Sequence, residues 1–267
     1  MSKPETDAPA ITIFGLGLIG GSLAIRLRSR GWHVSYVDPE VTEEKAIRAG
    51  AADRRLNRLE RSDADVIMLA APLDASLSAI EEAPPDAFVT SVCGLMTPLI
   101  DAAIKRGLSF IAGHPMAGSE ERSLDAARID LFEGRQWFLG RTQKNPLIDR
   151  LIDDAGAAAD EVDPVEHDRA MLMVSHLPQL LSTALAAHLK DEQIDIERFG
   201  GAGLRTFLRL AGSSASVWEP LFESAGTQLE PHLEAVRRHA EAILAGEGAP
   251  LFGRANTLWD VVGRPGR

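Results

Sequence analysis

The stretch Phe110-Ile111-Ala112-Gly113-His114-Pro115-Met116-Ala117-Gly118-Ser119-Glu120 sets one histidine between a glycine and a proline, at the end of an apolar run. Pro115 biases His114 away from helical geometry toward extended backbone, and Gly113 lets the chain pass close to a neighbour. A histidine held this way points at one place, and with an ordinary pKa near ~6.5 it can take a proton at neutral pH. A hydrogen-bonded surface histidine in a turn is the plainer alternative, and the motifs around it argue against that. A second histidine lies in Ser175-His176-Leu177-Pro178-Gln179. Inside a helix that proline removes a hydrogen bond and kinks the axis, at a cost of ~3 kcal/mol, which marks either a site or a packing crossover. His176 reads equally well as a satisfied core histidine or a functional one, and helical spacing puts Ser175 and Gln179 on a common face. Arg205 and Arg209 follow a glycine tract, Phe199-Gly200-Gly201-Ala202-Gly203. On one helix they would repel weakly at i and i+4, and a carboxylate docked between them would relieve that repulsion. Their neighbours Leu204, Phe207, Leu208 and Leu210 are apolar, so at least one arginine is expected to be partly buried and to need an anion; a solvated basic face is the alternative. Trp218 reads first as core.

A different chemistry is written near the N-terminus. The β-branched run Ile11-Thr12-Ile13-Phe14 leads directly into Gly15-Leu16-Gly17-Leu18-Ile19-Gly20, a helix over 22–30 follows, and the next strand, 33–37, ends at Asp38. Alone, G-x-G-x-x-G is a weak signal. With a strand before it, a helix after it and an acid roughly 20 residues on, it is a dinucleotide fingerprint. Gly15, Gly17 and Gly20 permit the tight turn and the close approach of a pyrophosphate, Leu18 and Ile19 lie in that turn against the cofactor, and the helix N-terminus supplies amides and a partial positive charge for the phosphates. Asp38 would accept hydrogen bonds from the ribose hydroxyls and repel a 2′-phosphate. Pro39 rather than arginine follows, which favours NAD over NADP.

These groups need a scaffold that brings them to one edge. Helices at 42–49, 73–82 and 98–106 alternate with near-continuous apolar strands at 64–70, 88–92 and 109–112, the pattern of an α/β Rossmann-type domain with a doubly wound, mainly parallel sheet. Ligands of such sheets bind beyond the carboxyl ends of the strands. The glycine turn, Ala71-Pro72, the turn at Val92-Gly94 and His114 all fall at such ends. A helix is expected over 123–132, a strand over 136–139, a helix over 146–155 and a short last strand over 161–163. The long apolar-periodic segment 165–189 then begins an all-α second half. The expected division is a disordered tail at 1–10, a nucleotide-binding domain at 11–163 and a helical domain at 164–267, with 246–267 loosely packed. Lys and Arg number 28 against 39 Asp and Glu, a net charge of −11, which argues against nucleic acid or an anionic membrane as partner. The single cysteine, Cys93, reads as a small buried hydrophobe and fits a reducing, cytoplasmic setting. The polar start reads as a frayed tail rather than a signal peptide. No apolar run approaches the ~20 residues of a membrane span, and no metal site is expected.

Taken together these motifs resemble the prephenate/arogenate dehydrogenase family. Gly15 to Ser22 matches its opening, His114-Pro115-Met116-Ala117-Gly118-Ser119-Glu120 its most specific motif, and Ser175-His176-Leu177-Pro178 and Arg209…Trp218 its helical half. The similarity runs from about Ile11 to about Trp218. It implies a Rossmann domain followed by a helical dimerisation domain, a homodimer, NAD as cofactor and a small anionic cyclohexadienyl substrate. The implied reaction is oxidative decarboxylation, in which hydride leaves ring C4 for NAD, CO2 is lost and the ring aromatises, as in tyrosine biosynthesis. By the same resemblance His114 is the catalytic base and Arg209 the carboxylate clamp. Ser119, Glu120, Ser175, His176, Gln179, Arg205, Trp218 and the position of Gly94 would line the substrate site, and Ala71 and Pro72 would border the cofactor.

The chain also departs from the family. After the strand at 88–92 the family reads Asp-x-x-Ser-x-Lys; its serine falls on Gly94 and its lysine on Met96. The second histidine of Ser-His-Leu-Pro-His falls on Gln179, and an acid common beside the first basic residue falls on Thr206. Three polar groups near the substrate have changed while His114 stays. That leaves prephenate, arogenate and 4-amino-4-deoxyprephenate open as substrates, along with a relative that binds NAD but has lost turnover. A β-hydroxyacid dehydrogenase ranks last, because Lys190 lies in no motif.

Overall fold

The structure, a computed structural model, describes residues 8–118, 121, 123–140 and 143–263. Eight strands form one sheet in the order β3-β2-β1-β4-β5-β6-β7-β8. They are β1 Ala10–Phe14, β2 His33–Val37, β3 Arg54–Arg55, β4 Val66–Leu69, β5 Phe88–Ser91, β6 Ser109–Pro115, β7 Gln136–Gly140 and β8 Ala158–Glu161. All neighbours pair in parallel except β6 and β7, which run antiparallel with His114 opposite Phe138. The central strands are apolar on both faces because helices cover both, whereas the edge strands β3 and β8 carry charged, exposed residues. Helices α1 (Leu18–Ser29), α2 (Glu43–Arg48) and α5 (Pro146–Ala155) share a core with Ile11, Ile13, Ile111 and Trp137. Helices α3 (Leu73–Glu82) and α4 (Thr97–Arg106) close the opposite face over Ile67, Leu69, Val89 and Ala112.

After Asp163, which caps the next helix by accepting from the Val165 and Glu166 amides, the chain is helical. Helix α6 (Pro164–Met171), a π turn (Leu172–His176) and α7 (Leu177–Asp191) form one rod. The π turn sits directly before Pro178, so the proline's missing donor is absorbed by a local widening rather than by a break. Then come α8 (Ile196–Phe199), α9 (Ala202–Leu208), α10 (Ala215–Ala225), α11 (Glu230–Leu244) and α12 (Ala249–Val262). Leu221 of α10 is buried in the core under α3 and α4, which joins the helical half to the sheet domain.

Several expectations need correction. β1 begins at Ala10, inside the expected tail, because the Pro9 carbonyl accepts from His33 N at 2.9 Å and Ala10 pairs with His33. Residues 123–132 hold only a short 3-10 turn, Leu124–Ala126, instead of a helix. There Leu124, Leu131 and Phe132 are pulled into the α1–α5 core, and Arg128 N donates to Ser22 Oγ at 2.9 Å, so tertiary anchors override local propensity. Gly21 makes this possible, since a Cβ there would lie 2.5 Å from Leu124 Cδ1. The last strand is Ala158–Glu161 rather than 161–163, and the supposed loose tail contains α12. The continuous rod Pro164–Asp191, 28 residues with a mean hydropathy of 1.3 in its most apolar stretch, is long and apolar enough to cross a membrane, contrary to the expectation that no run approaches that length. It carries buried His167, Asp168, His176, Gln179 and Ser182 toward the rest of the protein, as the core helix of a folded domain does.

Candidate active site

β6 runs to Pro115 and carries His114 to the carboxyl edge of the sheet, beside the loop that follows β5. Gly94 in that loop faces the imidazole: a Cβ built there would lie 3.8 Å from His114 Nε2 and 3.9 Å from Cε1. That is ordinary van der Waals spacing, so a Cβ at 94 would meet no steric obstacle. On its other side His114 Nδ1 lies 3.0 Å from Nε2 of buried His167, whose Nδ1 lies 3.0 Å from Asp168 Oδ1. Asp168 also accepts from the amides of Met96 and Thr97, both at 2.8 Å, and from the Thr97 hydroxyl. A carboxylate from α6 thus caps the start of α4, where the helix dipole favours negative charge. Burial alone would raise the Asp168 pKa, but the hydrogen bonds from His167, Thr97 and Met96 outweigh it and hold the carboxyl below its usual range.

Burial pushes the His114 pKa down to about 4, helped by the neighbouring His167 and His176 and opposed by Asp168. This corrects the ordinary value assumed from sequence: His114 is a neutral imidazole throughout the physiological range, and a weaker base than a free histidine. His176 is buried too, with its pKa lowered to about 4, mainly by burial. Its ring meets Trp218 edge-on at 5.7 Å and Phe222 at 6.4 Å, and those two rings stack at 5.7 Å. Its Nδ1 has no partner among the described residues. Trp218 is half-buried against the sheet-domain core, so it packs and also borders His176.

One turn beyond His176, Gln179 is turned away from this cluster. Its Nε2 donates to Leu210 O at 2.9 Å and to Thr183 Oγ1 at 3.0 Å, while Ser182 Oγ donates to Phe207 O at 2.9 Å. The two residues pin the segment that carries the arginines. Arg205 sits on α9, whereas Arg209 opens a separate 3-10 turn, Arg209–Gly212, so the two do not share a regular helix. Both are exposed in the single chain, against the expectation that one would be partly buried, because Phe207 of the same segment is itself 51% exposed and covers neither. Ser175 lies half-buried on the π turn. Ser119 and Glu120 lie outside the described residues.

The glycine turn borders the same edge. Gly15 has φ +94°, and a Cβ on it would lie 2.7 Å from the Ala70 carbonyl; a Cβ on Gly20 would collide with the Gly15 carbonyl. Neither position admits a side chain, and the turn is pressed against Ala70-Ala71. Gly17 caps α1 without a side chain, which leaves the first-turn amides, Leu18 and Ile19 among them, directed out of the helix end. Pro72 starts α3, and Ser76 Oγ ties back to Ala71 O at 2.9 Å. Asp38 accepts from Leu16 N on Oδ2 at 2.8 Å and from the amides of Glu40 and Val41 on Oδ1 at 2.8 and 2.9 Å. It therefore braces the glycine turn and keeps an acceptor site on Oδ2 for one ribose hydroxyl rather than two. A cradle without side chains, an open helix end and a braced acid suit a dinucleotide. Cys93 is buried and free, its thiol pushed up to about 11 by burial.

His167, Asp168 and Thr97 were not singled out from sequence. A signal existed: Asp168 stands three and four residues before Met171 and Leu172, on the apolar stripe of the helix, where a carboxylate needs donors.

A Rossmann domain with a glycine cradle and a relay-held histidine at the strand ends, joined to a helical second half, defines a two-domain dinucleotide-binding protein. The family model for the prephenate dehydrogenase nucleotide-binding domain matches residues 22–157, and that for the prephenate dehydrogenase dimerization domain matches 163–245. The chain belongs to the prephenate dehydrogenase family. Prephenate dehydrogenase of Bacillus subtilis (strain 168) is 27% identical over 232 residues, covering 79% of this chain but only 62% of that relative's length. Arogenate dehydrogenase of Synechocystis superposes with a TM-score of 0.72 at 26% identity, covering 94% of this chain and 97% of that one. Prephenate dehydrogenase from A. aeolicus, solved with hydroxyphenyl propionate and NAD+, has the same fold (TM-score 0.80, 24% identity, 95% and 97% covered).

Proposed function

We propose that this chain is an NAD-dependent oxidoreductase that oxidatively decarboxylates prephenate or a close analogue. The observation that carries the reading is the placement of His114 Nε2 against the side-chain-free Gly94, on the sheet edge that also holds the glycine cradle. Bound NAD supplies the hydride acceptor. Gly15, Gly17, Leu18, Ile19, Gly20, Asp38, Ala71 and Pro72 would hold it. His114 takes the C4 hydroxyl proton as C4 loses hydride and its oxygen becomes carbonyl-like. The proton returns to that oxygen as the ring carboxylate leaves as CO2 and the phenol forms. A neutral imidazole suits this transient role, and orientation of C4 does most of the rest. Arg209, in the turn pinned by Gln179 and Ser182, is the proposed carboxylate clamp. Gly94, Ser119, Glu120, Ser175, His176, Arg205 and Trp218 are proposed to bound the substrate, with Gln179 acting through the Leu210 carbonyl. We place the domain boundary at Asp163, read the family's dimerization domain as forming a homodimer, and read the reducing cytoplasm, from free Cys93, as the location.

The open space beside Nε2 favours a second reading of the substrate, 4-amino-4-deoxyprephenate, in which an amine replaces the C4 hydroxyl. Arogenate is the third candidate. NADH formation and CO2 release measured side by side with all three decide among them. Turnover of at least one is expected; tight NAD binding with turnover of none would overturn the assignment and mark the chain as a binding protein of the family.

A further inference from the structure

The three groups behind His114 settle which of its nitrogens carries the proton. Asp168 receives hydrogen bonds on both oxygens, from His167 Nδ1, the Met96 and Thr97 amides and the Thr97 hydroxyl. Amides and hydroxyl are committed donors there, and an ionised carboxylate only accepts. His167 must therefore donate through Nδ1. In the neutral ring Nε2 is then a lone pair, and the group 3.0 Å away from it, His114 Nδ1, must donate. His114 is left with its own lone pair on Nε2, the nitrogen that faces Gly94. We propose that His167 and Asp168 are positioning residues that lock His114 as the Nδ1–H tautomer and so aim its single basic lone pair into the space beside Gly94. The hydrogen bonds converge on Asp168, from the α4 amide on one side and from His114 through His167 on the other, and so cross between the helical half and the sheet domain twice.

The inference deepens the functional reading and rests on it for its kinetic part only. Asp168→Asn offers an amide NH2 in place of an acceptor oxygen. If that NH2 turns toward His167, both imidazoles flip tautomer and His114 presents N–H where a base is needed. Loss of such an orienting carboxylate costs about 10²- to 10⁴-fold in kcat, with KM for the substrate close to unchanged. The direct readout is the 15N spectrum of the full-length protein with labelled histidine, assigned by comparison with His114→Ala and His167→Ala. Wild type should show His114 Nε2 as a proton-free, imine-type nitrogen, and Asp168→Asn should move it to the N–H type. A merely structural Asp168 would lower stability without that exchange. Thr97→Val, which keeps the Thr97 amide bond but removes the hydroxyl, should leave the tautomer as in wild type. A wild-type spectrum with the proton on Nε2 overturns the proposal, as does an Asp168→Asn protein that folds and turns over at the wild-type kcat. If Asp168→Asn fails to fold, the wild-type spectrum alone still decides. That spectrum needs no substrate, so it stands or falls separately from the substrate assignment.

Discussion

At the scale of single residues, His114, the proposed base, is kept neutral by desolvation. Ordinary histidine is part-protonated near pH 6.5, whereas burial and its histidine neighbours keep this one neutral down to about 4. His114→Ala should lower kcat by about 10²- to 10⁴-fold and leave NAD affinity, read by fluorescence titration, within a factor of two or so of wild type. Full turnover in that variant would remove His114 from the mechanism. Gly94 gives a second test. Its Cβ position is free of close contacts, so Gly94→Ser should fold with a thermal midpoint near that of the parent. A hydroxyl would then sit beside His114 Nε2, and the ratio of kcat/KM between C4-hydroxy and C4-amino substrates should rise, by up to about tenfold for one hydrogen bond of ~1.4 kcal/mol. An unchanged ratio would mean that position 94 does not face the reacting group.

At the scale of elements, the rod α6–α7 organises both ends of the site. Its first turns hold the relay and its middle pins the arginine turn. Ser182→Ala leaves the Phe207 carbonyl without its side-chain donor and should cost about 1–3 kcal/mol in a denaturant titration. KM should rise more than kcat falls, because the Arg209 segment loosens while His114 is untouched; a fall in kcat alone would argue against the clamp. The elements most legible in the sequence had local punctuation. α3 is bounded by Pro72 and by Ala83 before Pro84, and α5 starts with Pro146 behind an Asn145 cap and stops at left-handed Gly156. Residues 123–132 looked equally helical but are shaped by where Leu124 meets Gly21, which no local pattern records. The same limit applies in the site. His114 and the glycine turn carry motifs, whereas His167 and Asp168 gain meaning only when α6 is laid across the start of α4, 71 residues away from Thr97 in sequence.

For the whole molecule, two desolvated histidines tie stability to pH. His114 and His176 have folded-state pKa values lowered to about 4, while in the unfolded chain they titrate near ~6.5. Between those values the unfolded state binds more protons, so stability is complete above pH ~6.5 and falls as pH drops toward 4, by at most about 3 kcal/mol per histidine. Below about pH 4 these two groups contribute no further loss. Chemical denaturation at pH 7.5 and 5 reads the effect, and His176→Phe should flatten part of the slope. The helical half explains what remains apolar on the outside. Phe199, Phe252, Leu258, Trp259, Val261 and Val262 are each more than half exposed in the single chain, an apolar surface that the proposed homodimer would cover. Sedimentation should find a dimer, and Trp259→Glu should shift it toward monomer.

The carboxylate of Asp168 fastens α6 to the first turn of α4, and that fastening has a mechanical consequence. Asp168 belongs to the helical half and the amides it binds belong to the sheet half, so a displacement of α6 from α4 would break its bonds to Met96 and Thr97. With that anchor gone His167 is free to turn, and His114 loses its assigned lone pair. One carboxylate thus serves two ends, as a rivet between the halves and as the backstop of the imidazole pair.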